Sequence, residues 1–512
     1  MSSSDERALR PEPRSRSLTD LCTAVGIDAA LATDVLVSGI TLDSRDVRTG
    51  DLFVALSGER VHGAAFVGEA VAGGAVAVVT DRQGVELVAG HLPCVVVEDL
   101  RHRTGELAAE VYGRPADQLL LLGVTGTNGK TTTTYLLESG LRAAGHRTGV
   151  VGTVATLIDG EAFDTVRTTP EAPELHGLLA VMLERGVTAV AMEVSSHALA
   201  MGRVDGCMFD VSGFTQLAVD HLDFHGSEEA YFAAKLMLFD PGRSRLSIIT
   251  NDDNGGRRVA REATGEVETL GSQPEADWRI ADVRERPQGG YDFAIAAPDG
   301  TAHPAAVQLV GRFNVANAAL ALVMLMRAGI DPETATLGVG ECRGVPGRME
   351  RVGPTEVVLI VDYAHTSDAL ARAIDAVTPD GDGRVIVVFG CGGDRDPGKR
   401  APMGSAAASR AAVVVVTDDN PRSESPGLIR QAVLAGTAEV PVAERAEVVE
   451  MGDRRAAMEW AIRQASPGDV VLVAGKGHES GQEVGSVTTP FDDRDELLAA
   501  WTSVRGDAPE DH

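Results

Sequence analysis

Residues 123–133 read Gly-Val-Thr-Gly-Thr-Asn-Gly-Lys-Thr-Thr-Thr, with an apolar run at 119–122 before them and a helical pattern at 135–141 after them. A strand, a glycine-rich turn and a Lys-Thr pair at a helix start are typical of a phosphate-binding site. The turn directs backbone N–H groups inward, and the helix N-terminus adds partial positive charge. The stretch therefore predicts a strand–loop–helix unit that binds a nucleotide phosphate.

Two side chains of this loop suit the chemistry of a nucleotide. Lys130 can reach the β- and γ-phosphates, and the hydroxyl of Thr131 can ligate Mg²⁺. The spacing is a variant, since Val124 stands where the strict P-loop pattern has glycine. A glycine-rich turn that binds nothing is the alternative interpretation, and the strand–loop–helix context argues against it.

The composition favours a large α/β protein. A chain of 512 residues is enough for about three domains. Hydrophobic residues make up 44% of the chain but aromatic residues only 4%, so the cores must be aliphatic, as in α/β layers. The net charge of −29 argues against a basic face for nucleic acid. The five cysteines include no Cys-x-x-Cys pair, which favours reduced thiols over disulfides or a zinc site.

The expected location is the cytoplasm, without membrane insertion. No apolar run approaches the roughly 18 residues that a membrane helix needs. The N-terminus is rich in Ser, Arg and Pro and lacks the apolar segment of a secretory signal.

The alternation of strand and turn patterns predicts three α/β domains between two tails. The small first domain should be followed by a P-loop ATPase-like domain with a parallel sheet and by a Rossmann-like C-terminal domain. The predicted segments are a disordered tail (1–16), an N-terminal domain (17–114), a central domain (115–347), a C-terminal domain (348–505) and an acidic tail (506–512).

Glu193 is a candidate Mg²⁺ ligand. It follows the buried-strand run 187–192, where open α/β sheets place their ligands, and it offers a hard oxygen donor beside phosphates. The alternative is that Glu193 caps the next helix.

Lys235 is predicted to lie on a helix that begins after Ser227, among alanine, leucine and methionine. Apolar surroundings disfavour the charged form of a lysine, and the neutral amine can take up CO₂ to give a carbamate, a carboxylate-like Mg²⁺ ligand. Snorkelling to solvent is the commoner fate of a helical lysine, and the pattern alone leaves both open.

Four aliphatic runs of the C-terminal domain each end in a polar cluster, and these clusters converge on one edge if the sheet is doubly wound. Two of the clusters contain Arg395 and Arg422. Together these arginines would suit a carboxylate clamp, because a guanidinium binds a carboxylate in a bidentate way. Either arginine alone is more often a surface residue.

These motifs together resemble the Mur ligase family of ATP-dependent amide-bond-forming enzymes, over nearly the whole chain. The family pointers are the phosphate loop, the Glu-Val-Ser-Ser-His run from Glu193, the Asp-His-Leu-Asp run at 220–223 and the helix of Lys235. Asp-Asn-Pro-Arg at 419–422 resembles the signature of the members that add diaminopimelate, and lysine-adding members differ there.

The resemblance implies a ligase that adds diaminopimelate to UDP-N-acetylmuramoyl-L-alanyl-D-glutamate, with ATP and Mg²⁺, in peptidoglycan precursor synthesis. It implies that Lys130, Lys235, Glu193 and His221 are catalytic, and that Thr131, Glu193, His221 and Lys235 as N6-carboxylysine hold metal. The implied ATP residues are Gly126, Thr127, Asn128, Gly129, Lys130, Thr131, Thr132, Asn314, Arg348, Asp362 and His365.

The implied contacts of the nucleotide substrate are Leu42, Ser44 and loop 59–61 at the UDP end, and Thr168, Thr169, Ser195 and Arg203 at the muramoyl peptide. Those of diaminopimelate are Arg395, Asp419, Asn420, Pro421, Arg422, Gly475 and Glu479. The N-terminal domain would thus bind UDP, and the C-terminal domain would bind the amino acid. The expected oligomeric state is a monomer.

The chain departs from the family pattern at Met201, at Arg167 and in loop 59–61, which affects substrate contacts. Two alternatives remain open at this point. Another Mur-type or folylpolyglutamate-type ligase would share the phosphate loop and the lysine but lack the Asp-Asn-Pro-Arg clamp. A nucleotide-binding switch would have no need of four polar loops on a second sheet.

Overall fold

The computed structural model describes residues 9–29, 31, 33–58, 60–88, 90–163, 167–218, 220–286, 289–353, 356–379 and 381–506. By its internal contacts the chain divides into two compact units. The first comprises Met1–Ala281, Ala294–Pro304 and Asn317–Val339. The second comprises Asp282–Phe293, Ala305–Ala316 and Gly340–His512.

The first unit begins with short strands and helices that alternate along the chain. They are β1 (Arg16–Ser17), α1 (Leu18–Ala24), β2 (Leu36–Val37), β3 (Gly39–Thr41), β4 (Asp51–Ala55), α2 (Val67–Gly73), β5 (Ala77–Thr80), α3 (Val85–Val88), β6 (Cys94–Val96) and α4 (Leu100–Val111). Strands β3 to β6 form a parallel sheet in chain order. Every residue of β4 and β5 is buried, as expected for central strands covered on both faces.

Residues 9–16, which the sequence pattern assigns to a disordered tail, make defined contacts. Arg10 forms an ion pair with the buried carboxylate of Asp51 at the start of β4. Arg16 pairs with Val37 in the β1–β2 ladder. Backbone pairing and one ion pair to a buried carboxylate therefore hold this segment in place. The amino-acid composition of the segment predicts neither contact. The remainder of that predicted tail, 1–8, lies outside the described residues, as do 507–512.

The central segment carries a larger sheet with helices between its strands. Its elements are β7 (Leu120–Thr125), α5 (Lys130–Ala143), β8 (Thr148–Val151), β9 (Thr156–Ile158), β10 (Glu161–Phe163), α6 (Ala172–Glu184), β11 (Ala189–Glu193), α7 (Ser196–Ala200), β12 (Phe209–Phe214), α8 (Leu222–His225), α9 (Glu228–Leu236), β13 (Ser244–Thr250), α10 (Asn254–Glu262), β14 (Val267–Gly271), β15 (Trp278–Glu285), β16 (Tyr291–Ala296), β17 (Ala302–Val307), α11 (Phe313–Arg327) and α12 (Pro332–Glu341).

The order β8-β11-β7-β12-β13-β14 is parallel throughout. β7 lies between β11 and β12, and Glu193 at the end of β11 pairs in register with Val124 of β7. The carboxyl ends of two neighbouring strands therefore place Glu193 beside the phosphate loop.

The C-terminal segment of the second unit is a doubly wound sheet. Its elements are β18 (Glu350–Val352), β19 (Val358–Asp362), α13 (Ser367–Val377), β20 (Val385–Phe389), α14 (Arg400–Ala408), β21 (Val413–Val416), α15 (Pro426–Glu439), β22 (Glu447–Glu450), α16 (Arg454–Gln464), β23 (Val470–Ala474), β24 (Gly481–Val484), β25 (Val487–Pro490) and α17 (Asp493–Arg505).

The strand order is β18-β19-β23-β20-β21-β22, and all pairs from β19 to β22 are parallel. Helices α13, α14 and α15 contribute to the core on one face, and α16 and α17 to the core on the other. The predicted α/β class with a parallel central sheet and a Rossmann-like C-terminal part is thereby confirmed. Among the helices of the described residues, none combines the length and apolar character required to cross a membrane.

Candidate active site

The phosphate loop joins β7 to α5 through backbone conformations that glycine favours. Gly126 has φ +143° and Gly129 has φ +91°. A Cβ at Gly126 would lie 1.9 Å from the Thr215 hydroxyl, and one at Gly129 would lie 2.4 Å from the Asn317 amide oxygen. Both positions therefore require glycine, because a Cβ would clash with the neighbouring side chain and because φ is positive. Lys130 opens α5, so the loop ends at a helix N-terminus.

Hydrogen bonds fix the shape of this loop. The Thr127 hydroxyl contacts the Ala218 carbonyl at 3.1 Å and the Tyr231 phenol at 3.0 Å. Thr215 Oγ1 donates to the Asn128 carbonyl at 2.6 Å. Thr131 and Thr132 follow at the start of α5 and are buried. The structure thus brings the seven predicted phosphate-loop residues into one ordered turn.

Glu193 lies under the start of α5 and is 1% exposed. Its Oε1 accepts hydrogen bonds from Thr131 Oγ1 at 3.0 Å and from the Thr153 backbone N–H at 2.7 Å. The alternative that Glu193 caps the next helix is wrong, because Ser195 is the N-cap of α7 and accepts from the Ala198 N–H.

These oxygen donors fit Mg²⁺. The hydroxyl of Thr131 and the carboxylate of Glu193 are hard ligands, and Mg²⁺ in proteins usually takes one or two such groups and completes its shell with phosphate oxygens and waters. The described residues contain no cluster of three or more His, Cys, Asp or Glu side chains that could hold a metal ion.

Lys235 is on α9, which begins after the predicted N-cap Ser227, and it is 1% exposed. It does not snorkel: its Nζ donates to the Gly126 carbonyl at 2.7 Å and lies 4.5 Å from the centre of the Tyr231 ring. Lys130 Nζ donates to the same carbonyl at 2.9 Å. Burial lowers the pKa of Lys235 well below its usual value, and the positive charge of Lys130 lowers it further.

His221 lies in the same region, in a left-handed conformation with φ +53°. Its ring is 4.7 Å from that of His197 and 6.3 Å from that of Tyr231. Burial lowers the pKa of His221, and the charges of Lys130 and Lys235 add to this shift while Asp220 opposes it. The structure therefore brings together the four residues predicted to be catalytic.

The residues predicted for the muramoyl peptide surround the other side of Glu193. Thr168 shares a hydrogen bond with the Thr153 hydroxyl at 2.9 Å. Thr169 Oγ1 donates to the Glu193 carbonyl at 2.8 Å and accepts from the Ser195 N–H. Arg203 Nη1 donates to the Thr169 carbonyl at 3.3 Å.

Arg203 is held by two further groups. Its Nη2 is 2.9 Å from Glu171 Oε1 and 3.4 Å from the sulfur of Met201. The Met201 departure from the family pattern thus lies directly on a predicted substrate contact. Arg167, the second departure, lies 3.8 Å from Glu174 in an exposed ion pair.

The predicted UDP residues lie in the N-terminal segment. Ser44 Oγ donates to Glu69 Oε2 at 2.5 Å, and Leu42 packs against the core of the small sheet. Val61 is exposed, whereas Glu59 of the same loop lies outside the described residues.

In the second unit, three of the predicted adenosine residues cluster around Tyr363. The Arg348 guanidinium carbon is 4.1 Å from the centre of the Tyr363 ring, and His365 packs against that ring at 4.7 Å. Asp362 accepts hydrogen bonds from the Met349 and Ala364 N–H groups, and burial raises its pKa. Asn314 belongs to the same unit, and its side chain donates to the Val310 carbonyl at 2.7 Å.

The predicted diaminopimelate residues lie where β21 and β23 end. Asn420 Nδ2 donates to Glu479 Oε2 at 2.7 Å. A Cβ at Gly475, where φ is +115°, would lie 3.0 Å from Asp419 Oδ2. Burial raises the pKa of Glu479, and the Asp419 charge raises it further. Pro421 is buried between Asn420 and the next arginine.

Two groups orient the guanidinium of Arg422. Its Nε donates to Glu483 Oε2 at 3.0 Å and its Nη1 to the Gly393 carbonyl at 2.8 Å. Among the residues that the structure describes, these two bonds engage two of the five N–H donors of the guanidinium, which leaves a second donor on Nη1 and both on Nη2 for a ligand. Arg395 is exposed on the neighbouring loop, with Nη1 3.5 Å from the Asp394 carbonyl.

Sequence reasoning missed four residues that shape these sites: Thr153, Glu171, Lys476 and Glu483. Thr153 ends the strand-like run 148–153, Glu171 precedes helix α6, and Glu483 belongs to the β24–β25 hairpin. Lys476 carried a usable signal, since it stands inside the Gly-Lys-Gly-His-Glu run at 475–479.

Three family models match the chain in succession. They are the Mur ligase family catalytic domain over residues 36–112, the Mur ligase middle domain over 124–325 and the Mur ligase glutamate ligase domain over 347–477.

Several known proteins are similar to this chain over nearly its whole length. UDP-N-acetylmuramoyl-L-alanyl-D-glutamate–2,6-diaminopimelate ligase of Streptomyces coelicolor is 50% identical over 493 residues, which cover 96% of this chain and 97% of that protein. The protein of the same name from Streptomyces avermitilis is 49% identical over 502 residues, covering 97% and 99%. A solved structure of a ligase of this name has a TM-score of 0.68 at 33% identity, covering 96% of this chain and 99% of that one.

Proposed function

The chain belongs to the Mur ligase family, and on this premise we propose that it joins diaminopimelate to UDP-N-acetylmuramoyl-L-alanyl-D-glutamate at the expense of ATP. The observation that carries the proposal is the Asp-Asn-Pro-Arg loop at 419–422, whose polar groups meet Gly475 and Glu479 at one sheet edge. The reaction belongs to peptidoglycan precursor synthesis, and we assign it to the cytoplasm, where ATP is available.

In the first step a carboxylate oxygen of the D-glutamyl residue attacks the γ-phosphorus of ATP. The bond from phosphorus to the ADP oxygen breaks, and an acyl phosphate forms. Lys130 and the N-terminus of α5 stabilise the negative charge on the transferring group. Mg²⁺, when bound, would neutralise charge on the phosphate oxygens, and Thr131, Glu193, His221 and Lys235 as its carbamate are the residues that would hold it.

We assign Lys235 as N6-carboxylysine. Its neutral amine attacks the carbon of CO₂, a C–N bond forms, and a proton is released, which leaves a carboxylate at the end of the side chain. The support is geometric: two lysine nitrogens share the Gly126 carbonyl, and a negative group on Lys235 would replace repulsion from Lys130 with attraction.

In the second step a neutral amine of diaminopimelate attacks the acyl carbon. A tetrahedral intermediate forms and expels inorganic phosphate, and the nitrogen loses a proton as the amide is completed. We propose that Asp419, Asn420 and Glu479 hold an ammonium of the diamino acid, and that Arg422, with Arg395 beside it, pairs with a carboxylate.

The nucleotide substrates would be bound by the remaining predicted residues. We propose that Thr168, Thr169, Ser195 and Arg203 contact the muramoyl peptide, because their hydrogen bonds connect them to Glu193. Leu42 and Ser44 would bind the UDP end. Asn314, Arg348, Asp362 and His365 would bind adenosine or the transferring phosphate.

The deciding experiment is phosphate release from ATP with the purified chain and the muramoyl dipeptide nucleotide. meso-Diaminopimelate, LL-diaminopimelate and lysine are added in parallel. We expect release that depends on diaminopimelate and is at least tenfold slower with lysine. Equal rates with lysine, or release that needs no amino acid, would refute the proposal.

A further inference from the structure

Lys476 is a buried cation in the loop that follows β23. It stands between Gly475 and Gly477, whose φ values are +115° and +55°, and it is 0% exposed. A Cβ at Gly477 would lie 2.7 Å from both the Gly347 carbonyl oxygen and the Tyr363 Cβ, so the turn is tightly packed. The chain therefore buries an ammonium group in a part of the fold where solvent does not reach it, at a cost of several kcal/mol unless it is paired.

Its partners are three residues of the proposed diaminopimelate site. Lys476 Nζ lies 3.0 Å from Asn420 Oδ1, 3.4 Å from Glu479 Oε2 and 3.5 Å from Asp419 Oδ1. Asn420 joins the two ends of this cluster, since its Nδ2 donates to Glu479. One ammonium thus contacts both carboxylates and the amide between them.

The charges of this cluster do not cancel. Two carboxylates and one ammonium leave one negative charge, which matches one ammonium group of a bound diamino acid. Burial and the Asp419 charge raise the pKa of Glu479, and Lys476 opposes both effects. Among the residues that the structure describes, Glu479 interacts electrostatically with Asp419, with Lys476, with the buried Arg454 and with the phenol of Tyr363.

We propose that Lys476 is a positioning residue, the internal counter-ion that holds the carboxylates of Asp419 and Glu479 side by side to receive an ammonium of the incoming amino acid. The proposal rests on the assignment of this loop cluster to diaminopimelate. A lysine that only stabilised the fold would have no reason to divide its contacts among three residues of one substrate site.

The test is Lys476→Met, which shortens the side chain by one atom and removes its charge. KM and kcat are measured for each of the three substrates by phosphate release from pH 6.5 to 9. At pH 7 we expect KM for diaminopimelate to rise at least tenfold, and KM for ATP and for the muramoyl dipeptide nucleotide to stay within twofold of the parent.

The pH profile gives the second readout. Without Lys476 the Glu479 carboxyl should bind its proton more tightly, so the variant's KM defect relative to the parent should be largest at pH 6.5. It should shrink as the pH rises and Glu479 ionises. A lysine with a merely structural role would produce a defect that does not follow the pH in this way.

Two further variants complete the design. Lys399→Met removes the charge of a half-exposed lysine of the same unit and should change no KM by more than twofold. Lys476→Ala should regain activity when propylamine is added, even if Lys476→Met folds poorly. An unchanged KM for diaminopimelate in Lys476→Met, an equal rise for all three substrates, or a flat pH profile would each overturn the proposal. A parent enzyme inactive with diaminopimelate would instead refute the assignment of the site, and the counter-ion with it.

Discussion

Replacing Lys235 by alanine tests the metal-assisted half of the mechanism. Lys130 and Lys235 donate to one carbonyl oxygen over 2.9 and 2.7 Å, so their nitrogens are no more than about 5.6 Å apart. Two positive charges at that distance repel by about 3 kcal/mol at an effective dielectric constant of about 20. This repulsion favours the neutral amine that CO₂ requires.

Carbamylation reverses the sign of that interaction. The negative carbamate would attract Lys130 by a similar amount, about 3 kcal/mol. If that attraction acts in the transition state, its loss in Lys235→Ala lowers kcat by about 100-fold. Phosphate release measured with saturating substrates checks the value.

Chemical rescue of Lys235→Ala tests whether the missing group is a carboxylate. Short carboxylic acids such as formate or acetate should restore part of the activity of Lys235→Ala, because they supply the missing carboxylate, whereas alkylamines should not. Lys399→Ala is the matched control and should behave as the parent under all conditions. Full activity in Lys235→Ala, or rescue by amines instead of acids, would show that Lys235 acts without a carbamate.

Three other outcomes are expected. Arg422→Ala should lower the preference for diaminopimelate over lysine by about 100-fold, since a charge-assisted pair of about 3 kcal/mol is lost; competition between the two amino acids measures it, and an unchanged ratio would contradict the clamp. Glu193→Gln should raise the Mg²⁺ concentration for half-maximal rate at least tenfold, as a magnesium titration of phosphate release will show. Asp493→Ala should destabilise the fold by about 3–5 kcal/mol in denaturant unfolding, because it leaves the fully buried Arg454 guanidinium unpaired. The double replacement Arg454→Met with Asp493→Leu should recover most of that loss.

The C-terminal sheet shows which features of the fold could be predicted from the sequence. Its four aliphatic runs are buried strands in parallel register, and the polar clusters that follow them meet at one edge, as predicted. The prediction succeeded because a parallel strand buried on both faces must be apolar throughout, and because its ligands can only follow its end. Strand order was not predictable, since the position of β23 between β19 and β20 depends on contacts between distant segments.

The residues that were missed share one property: each acts through a partner far away in the sequence. Lys476 reaches Asn420 across 56 residues, and Glu483 reaches Arg422 across 61. Glu171 orients Arg203 from the loop before α6. A pattern of residue types identifies groups that could bind a ligand, whereas the groups that orient them become visible only when the strand order is known.

Lys235 and Lys476 show that two buried lysines can have opposite roles. Both are buried lysines, at 1% and 0% exposure, and the neighbours of each in the sequence do not show which charges it faces in the fold. Lys235 faces another lysine and a backbone carbonyl, so its chemistry favours conversion into an anion, whereas Lys476 faces two carboxylates and serves as a cation. The alanine variants should therefore respond to opposite additives, Lys235→Ala to short carboxylic acids and Lys476→Ala to alkylamines. If one additive rescued both variants, the two lysines could not have the opposite charges on which the two proposals depend.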